Sequence, residues 1–196
     1  MKKRILIATL MVLLSVFLFS CGGGGSPGSD SGSTNINIQS VTVTADTTDM
    51  DVVQGVCDDE PEPFTKNTGT MTITAAAQIG QVDPFPGAIT VCKLSYIQDK
   101  DAPVAVSIDP WTIKNPNCVI IDGVSVCTID IIDIDRKLKF AVAAGFADAN
   151  GNPIFPQPAP FVYRVHYDCT YQNNSEKTGS LVGDITIFLA NFDMCG

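Results

Sequence analysis

From Phe161 to Gln172 the chain alternates without a break. Phe161, Tyr163, Val165, Tyr167, Cys169 and Tyr171 share one parity; Val162, Arg164, His166, Asp168, Thr170 and Gln172 share the other. Successive side chains of a strand point to opposite faces, so this run is a strand with an aromatic, apolar face inward and a polar face outward. The same period recurs elsewhere. Val41 and Val43 alternate with Thr42 and Thr44, and Met71, Ile73, Ala75 and Ala77 with Thr70, Thr72 and Thr74. Val104, Val106 and Ile108 form a similar run, and Ile185, Ile187 and Leu189 continue after a turn-like stretch at 173–179. Leu138, Phe140 and Val142 read as another strand, although the small residues of 141–147 leave a short helix open. Pro and Gly punctuate these runs at 61–63, 83–87, 109–116 and 151–160. Nine or ten short strands with such spacing predict an all-β, antiparallel β-sandwich, with a closed barrel as the alternative. At 45% hydrophobic residues, the 196-residue chain can bury a core for one such domain.

The N-terminus follows different rules. Lys2, Lys3 and Arg4 precede an apolar run from residue 5 to residue 19, interrupted only by Thr9 and Ser15. A basic start, an apolar run and a small residue at its end make a secretory signal. The run is shorter than the roughly 20 apolar residues a membrane-spanning helix needs. Residues 22–35 (GGGGSPGSDSGSTN) hold no side chain suited to a core and read as a flexible linker, with a reach of about 20 Å.

The signal ends Leu18-Phe19-Ser20-Cys21-Gly22, which resembles the lipobox of bacterial lipoproteins. The resemblance implies cleavage before Cys21, lipidation of its sulfur and acylation of the new amine, a two-signal anchor that holds stably in a bilayer. Gly22 follows where an Asp would retain the protein at the inner membrane, so the family's sorting tendency implies the outer membrane. The organisation expected is therefore a signal peptide (1–20), a lipidated Cys with its Gly/Ser linker (21–35) and one domain (36–196). Loss of residues 1–20 leaves 9 cations against 21 acids, moving the charge from −9 to −12. A surface this acidic is repelled by anionic headgroups and by nucleic-acid phosphates, so the membrane is reached through the lipid and no nucleic acid is expected.

With Cys21 lipidated, Cys57, Cys92, Cys118, Cys127, Cys169 and Cys195 remain, an even number that suits disulfides in an exported chain. No CxxC or CxxCH exists to suggest zinc, thioredoxin-like redox chemistry or haem. Cys118 and Cys127 flank an Asp122-Gly123 dipeptide, the preferred two-residue hairpin turn. Counting outward from that turn sets Cys118 opposite Cys127 at a non-hydrogen-bonded position, where a disulfide fits. The other four cysteines allow three pairings.

Tyr167-Asp168-Cys169 resembles the Tyr-x-Cys of immunoglobulin domains, and Cys92 followed by Trp111 echoes their Cys…Trp order. That resemblance implies an Ig-like sandwich with a Cys92–Cys169 bridge, leaving Cys57–Cys195 for the C-terminal end. The run Asp148-Ala-Asn150-Gly151-Asn152-Pro153 is similar to turns in bacterial Ig-like surface modules.

Candidate sites are few. Asp148, Asn150 and Asn152 alternate like the opening ligands of a calcium loop, but Pro153 follows and the later Glu is missing. Acidic turns explain them equally well, and no metal or cofactor is expected. The Pro-rich stretch 153–160, with Phe155, reads as a connector, as does 83–87. His166 is the single histidine and sits on a polar strand face; no Gly-x-Ser-x-Gly elbow accompanies it. The expected function is non-catalytic: a lipid-anchored envelope protein that binds or scaffolds another envelope or extracellular component, protein or glycan. A carbohydrate- or calcium-binding module and a hydrolase with paired carboxylates are the alternatives.

Overall fold

The computed structural model describes residues 34–53, 55–57, 60–61, 64–101 and 104–192. The signal, Cys21, the linker up to residue 33 and the Cys57–Cys195 pair lie outside what is described.

Eleven strands and one helix are found among the described residues. The smaller of the two main sheets is β1 (Ile36–Ala45), β5 (Asn67–Ala77) and β9 (Gly123–Ile132), in the order β1-β5-β9. The larger has six strands. Its order is β2 (Asp49–Asp51), β11 (Thr178–Ala190), β10 (Phe161–Gln172), β6 (Gly87–Gln98) and β7 (Trp111–Lys114), with β8 (Val119–Ile120) also on β6. β3 (Val56–Cys57) and β4 (Glu60–Pro61) form a separate ribbon. No ladder joins the two main sheets among the described residues, so the fold is a sandwich and the barrel alternative is not formed.

The core lies where the alternation predicts. All six inward residues of β10 are at most 2% exposed, and Met71, Ile73, Val41 and Val43 face them from the smaller sheet. Three buried tyrosines keep their hydroxyls paired: Tyr163 donates to Val106 O (2.6 Å), Tyr167 to Asp130 O (3.1 Å), and Tyr171 pairs with Thr34 Oγ1 (3.0 Å). Burial pushes the Tyr167 phenol well above its ordinary pKa and the Tyr163 phenol up to about 12. Between the sheets, a Cβ on Gly183 of β11 would stand 2.8 Å from Val43 Cγ2 and 3.3 Å from Val41 Cγ1, so a larger residue there would force these valines to move.

Residues 134–144 are helical, which corrects the strand expected over 138–142. Helix α1 (Ile134–Ala144) has Asp133 as its N-cap, accepting from Arg136 N at 2.9 Å, and is closed by Gly145 at φ 82°. Lys137, Phe140 and Ala141 form its buried stripe at i, i+3, i+4. Phe140 packs edge-on against Phe161 and Tyr163, centroids 5.4 and 5.7 Å apart. Leu138 and Val142 face outward, so their alternation with Phe140 carried no strand signal.

Residues 104–110 also depart from the strand expected there. Val106 and Ile108 are buried, but the backbone bonds of this stretch go to side chains. Gln98 Nε2 donates to Val104 O (2.7 Å), and Val106 N donates to Gln98 Oε1 (2.9 Å).

Candidate functional site

The disulfides come first, because they separate two kinds of staple. Cys118 and Cys127 are bridged with Cα atoms 5.3 Å apart, but no hairpin surrounds them. β8 pairs with β6 in the larger sheet, while β9 pairs with β5 in the smaller. Asp122-Gly123 is therefore a corner between sheets, and the bridge ties the sheets together where a hairpin register was expected. A type I′ turn needs positive φ at both central residues; only Gly123 has it (φ 91°). Ser125 Oγ accepts from Ile121 N (2.9 Å) and supports the corner.

Cys92 and Cys169 are bridged as well, but as register partners on β6 and β10. This bridge lies within one sheet, whereas the immunoglobulin resemblance implies one between sheets. Trp111 sits on β7 opposite Leu94 and stacks under Arg136, 5.1 Å from guanidinium carbon to ring centroid.

The best-formed candidate site is the outward face of β6, β10 and β11. Because Tyr163, Val165 and Tyr167 point inward, Val162, Arg164 and His166 must point out. The register then aligns cross-strand rows: Asp184–His166–Ser95, Thr186–Arg164–Ile97, and Phe188 beside Val162. Asp99 joins the last row through its N–H to Val162 O (2.9 Å). His166 Nδ1 is 2.8 Å from Asp184 Oδ1, and Arg164 Nε is 4.0 Å from the same oxygen. Hydroxyl, imidazole and carboxylate on three adjacent strands are the residue types of a nucleophilic triad. Ser95 makes no hydrogen bond with His166, so the nucleophile–base contact that such chemistry needs is not made.

Beside this row lies an open groove of about 370 Å³. Ile97 and Val162 floor it; Arg164, Lys100, Asp99 and Thr186 line it. Gln98 also borders it, while its side-chain amide, on the parity of the inward Tyr163, bonds residues 104 and 106. Lys100 has no ion pair among the described residues. Arg164 was visible in sequence only as one residue of a polar strand face. Its grouping with Lys100, Asp99 and Thr186 needs a strand register that no local motif announces.

The calcium candidates come together without forming a ligand cage. Asp148 Oδ1 accepts from Asn150 N (2.8 Å) and Asn152 N (2.9 Å), and Oδ2 from Asn152 Nδ2 (3.0 Å). The Asn152 amide presents hydrogens to the carboxylate, where a cation site needs converging oxygens. These bonds, the Asn152 side chain first, hold the Asp148 carboxyl below the usual range. Among the described residues no group of three or more His, Cys, Asp or Glu side chains is placed to hold a metal.

The Pro-rich connectors serve the fold. Residues 153–160 return the chain from α1 to β10, with Ile154 N bonded to Phe146 O (2.9 Å) and Phe155 exposed. Residues 83–87 cross from β5 to β6, clamped by Asn174 Nδ2 on the Asp83 and Phe85 carbonyls (2.9 and 2.8 Å).

The two bridges mark a protein that matures in an oxidising compartment. No described helix is long and apolar enough to cross a membrane. The fold and the groove thus define a disulfide-stapled all-β sandwich. No protein-family model and no curated protein matches the chain.

Proposed function

We propose that this chain is a non-catalytic, lipid-anchored protein of the cell envelope that binds another envelope or extracellular component. Binding uses the open face of its six-stranded sheet. The reading rests on the groove between Arg164 on β10 and Lys100 in the turn after β6: two cations over an apolar floor, in a chain of net charge −9. A concave site of this size that combines aliphatic surface with placed polar groups is a usual form of binding site. The lipobox-like Leu18–Gly22 segment and the Gly/Ser linker support a tether at the outer membrane, and the bridges support export. Rigid strands carry the site, as binding requires, while the linker supplies reach.

A photo-crosslinking residue placed at Thr186, on the groove, tests this on intact cells against one at Thr72, on the opposite sheet. Capture from 186 and not from 72 is expected; equal capture from both, or none, overturns the reading. Replacing Cys21 with Ser tests the anchor: the protein should lose incorporated radiolabelled palmitate and leave the membrane fraction.

A further inference from the structure

We propose that the groove over Ile97 and Val162 binds an acidic sugar, with Arg164 and Lys100 on its carboxylate and Asp99 and Thr186 on its ring hydroxyls. This rests on the binding role assigned to that face and names the ligand class.

Four observations converge on it. Arg164 forms a long ion pair with Asp184, Nε to Oδ1 at 4.0 Å, beyond hydrogen-bond reach, while that oxygen bonds His166 at 2.8 Å, so the guanidinium keeps N–H donors for a ligand. Its planar fork matches a carboxylate, and Lys100 adds a second positive charge at the same groove. With Asp99 in the same groove and Asp184 beside Arg164, the site is mixed in charge and suits a ligand that carries both a carboxylate and hydroxyl donors.

Asp99 selects among anions. Its Oδ1 accepts from Asp101 N (3.2 Å), and the carboxylate accepts only, so a ligand must bring donors to it. Sulfate brings no such donors, and a phosphate ion brings only the hydroxyls of its own charged group. A uronate ring carries hydroxyls for Asp99 and Thr186 on the same molecule as its carboxylate.

The floor fits a ring face. Ile97 and Val162 offer aliphatic surface flanked by polar groups, as the mixed C–H and O–H faces of a sugar require.

Strand pairing argues against a peptide. β10 lies between β11 and β6, β6 between β10 and β7, and β11 between β2 and β10. The central strand, β10, is paired along both edges at the groove, so no extended peptide can add beside Val162 and Arg164 by backbone bonds.

Calorimetric titration of the purified full-length protein tests this with three probes: a trimer of galacturonic acid, the same trimer as its methyl ester, and tri-aspartate. The acid trimer should bind at least about tenfold tighter than the ester and than tri-aspartate, with affinity falling as salt rises. Arg164→Gln should weaken the acid trimer about tenfold or more while keeping melting temperature and both bridges. Thr72→Ala on the other sheet should change nothing. Equal binding of acid and ester, an Arg164→Gln protein that binds normally, or no binding at millimolar concentration overturns the acidic-sugar assignment. Tri-aspartate binding as tightly as the acid trimer overturns it in favour of an acidic peptide. If it fails while crosslinking from position 186 persists on cells, the binding face stands and only its ligand class is wrong.

Discussion

Cys92 and Cys169 sit directly opposite each other on β6 and β10, their Cα atoms 4.0 Å apart and 77 residues apart in sequence. Cys118 and Cys127 are only 9 residues apart, yet their bridge joins two sheets. If stabilisation follows the loop each bridge closes in the unfolded chain, the first contributes about 4.5 kcal/mol and the second about 2.7 kcal/mol. The double Ala variant at 92/169 should therefore melt well below that at 118/127, as calorimetry under identical conditions would show. The reverse order would mean that holding the corner between the sheets matters more than loop entropy. Non-reducing peptide mapping should return the same two pairs.

Lys137 gives the protein an alkaline stability signature. It is 3% exposed, with Nζ donating to Thr65 O (2.8 Å) and lying 4.9 Å from the Phe64 ring centroid. Burial pulls its ammonium from 10.5 down to about 8, against the opposing pull of Asp51. Between these values the unfolded chain holds a proton that the folded one has released, so stability rises with pH across that window. The buried tyrosines act the other way above about pH 10: their raised pKa values favour the folded state only until the unfolded phenols ionise. Urea melts of wild type and Lys137→Met at pH 7.5, 9 and 10 separate the two. Their difference should grow in favour of the wild type over this range, and a constant difference would remove Lys137 as the source.

Asp133 is both cap and ion-pair partner of Arg136, with Oδ1 on the backbone N–H (2.9 Å) and Oδ2 on Nη1 (2.6 Å). Asp133→Ala should cost about 1–2 kcal/mol in denaturant unfolding, most of it from the lost cap. Asp133→Asn keeps a capping oxygen and should recover most of that loss. An Asn variant as unstable as the Ala one would shift the weight to the ion pair, which is partly exposed and expected to count for little.

Gly69 marks a place where the backbones come too close for a side chain. A Cβ there would collide with the carbonyl oxygen of Thr44 across the β1–β5 ladder. Gly69→Ala should destabilise by more than about 2 kcal/mol, because relief requires moving backbone in the middle of a three-stranded sheet. Gly80, exposed and with nothing near its Cβ position, is the control. At its φ of 79° an alanine is strained, yet the cost should stay near 1 kcal/mol. Comparable losses at the two sites would refute the steric argument.

How much of this was legible depends on how local each signal is. The inward set of β10 and its hairpin with β11 follow from strand parity and one short loop, both contained within some thirty residues. The helix reads in sequence only as the alternative to a strand, although its signals are present: Asp133 before the apolar stripe and Gly145 after it are a cap pair, outweighed by the apparent alternation of Leu138, Phe140 and Val142. The Cys118–Cys127 bond was legible, but for a reason the structure replaces, since a sharp corner brings two cysteines together as well as a hairpin does. Asp184 as the partner of His166 was within reach by counting back from the 173–177 loop. The groove was not, because Lys100, Arg164 and Thr186 meet only once three strands are in register.

The sequence by itself determined which side chains are buried where the alternation is clean, as in β1, β5 and above all β10, because parity is a property of neighbouring residues and the aromatic alternation leaves one face no other environment. It also determined the even set of cysteines beyond Cys21. Only the tertiary structure decided which sheet each strand joins, that one bridge lies within a sheet and the other between sheets, and which outward residues share a groove. Those outcomes depend on contacts between residues far apart in the chain, whose energies no short window of sequence contains.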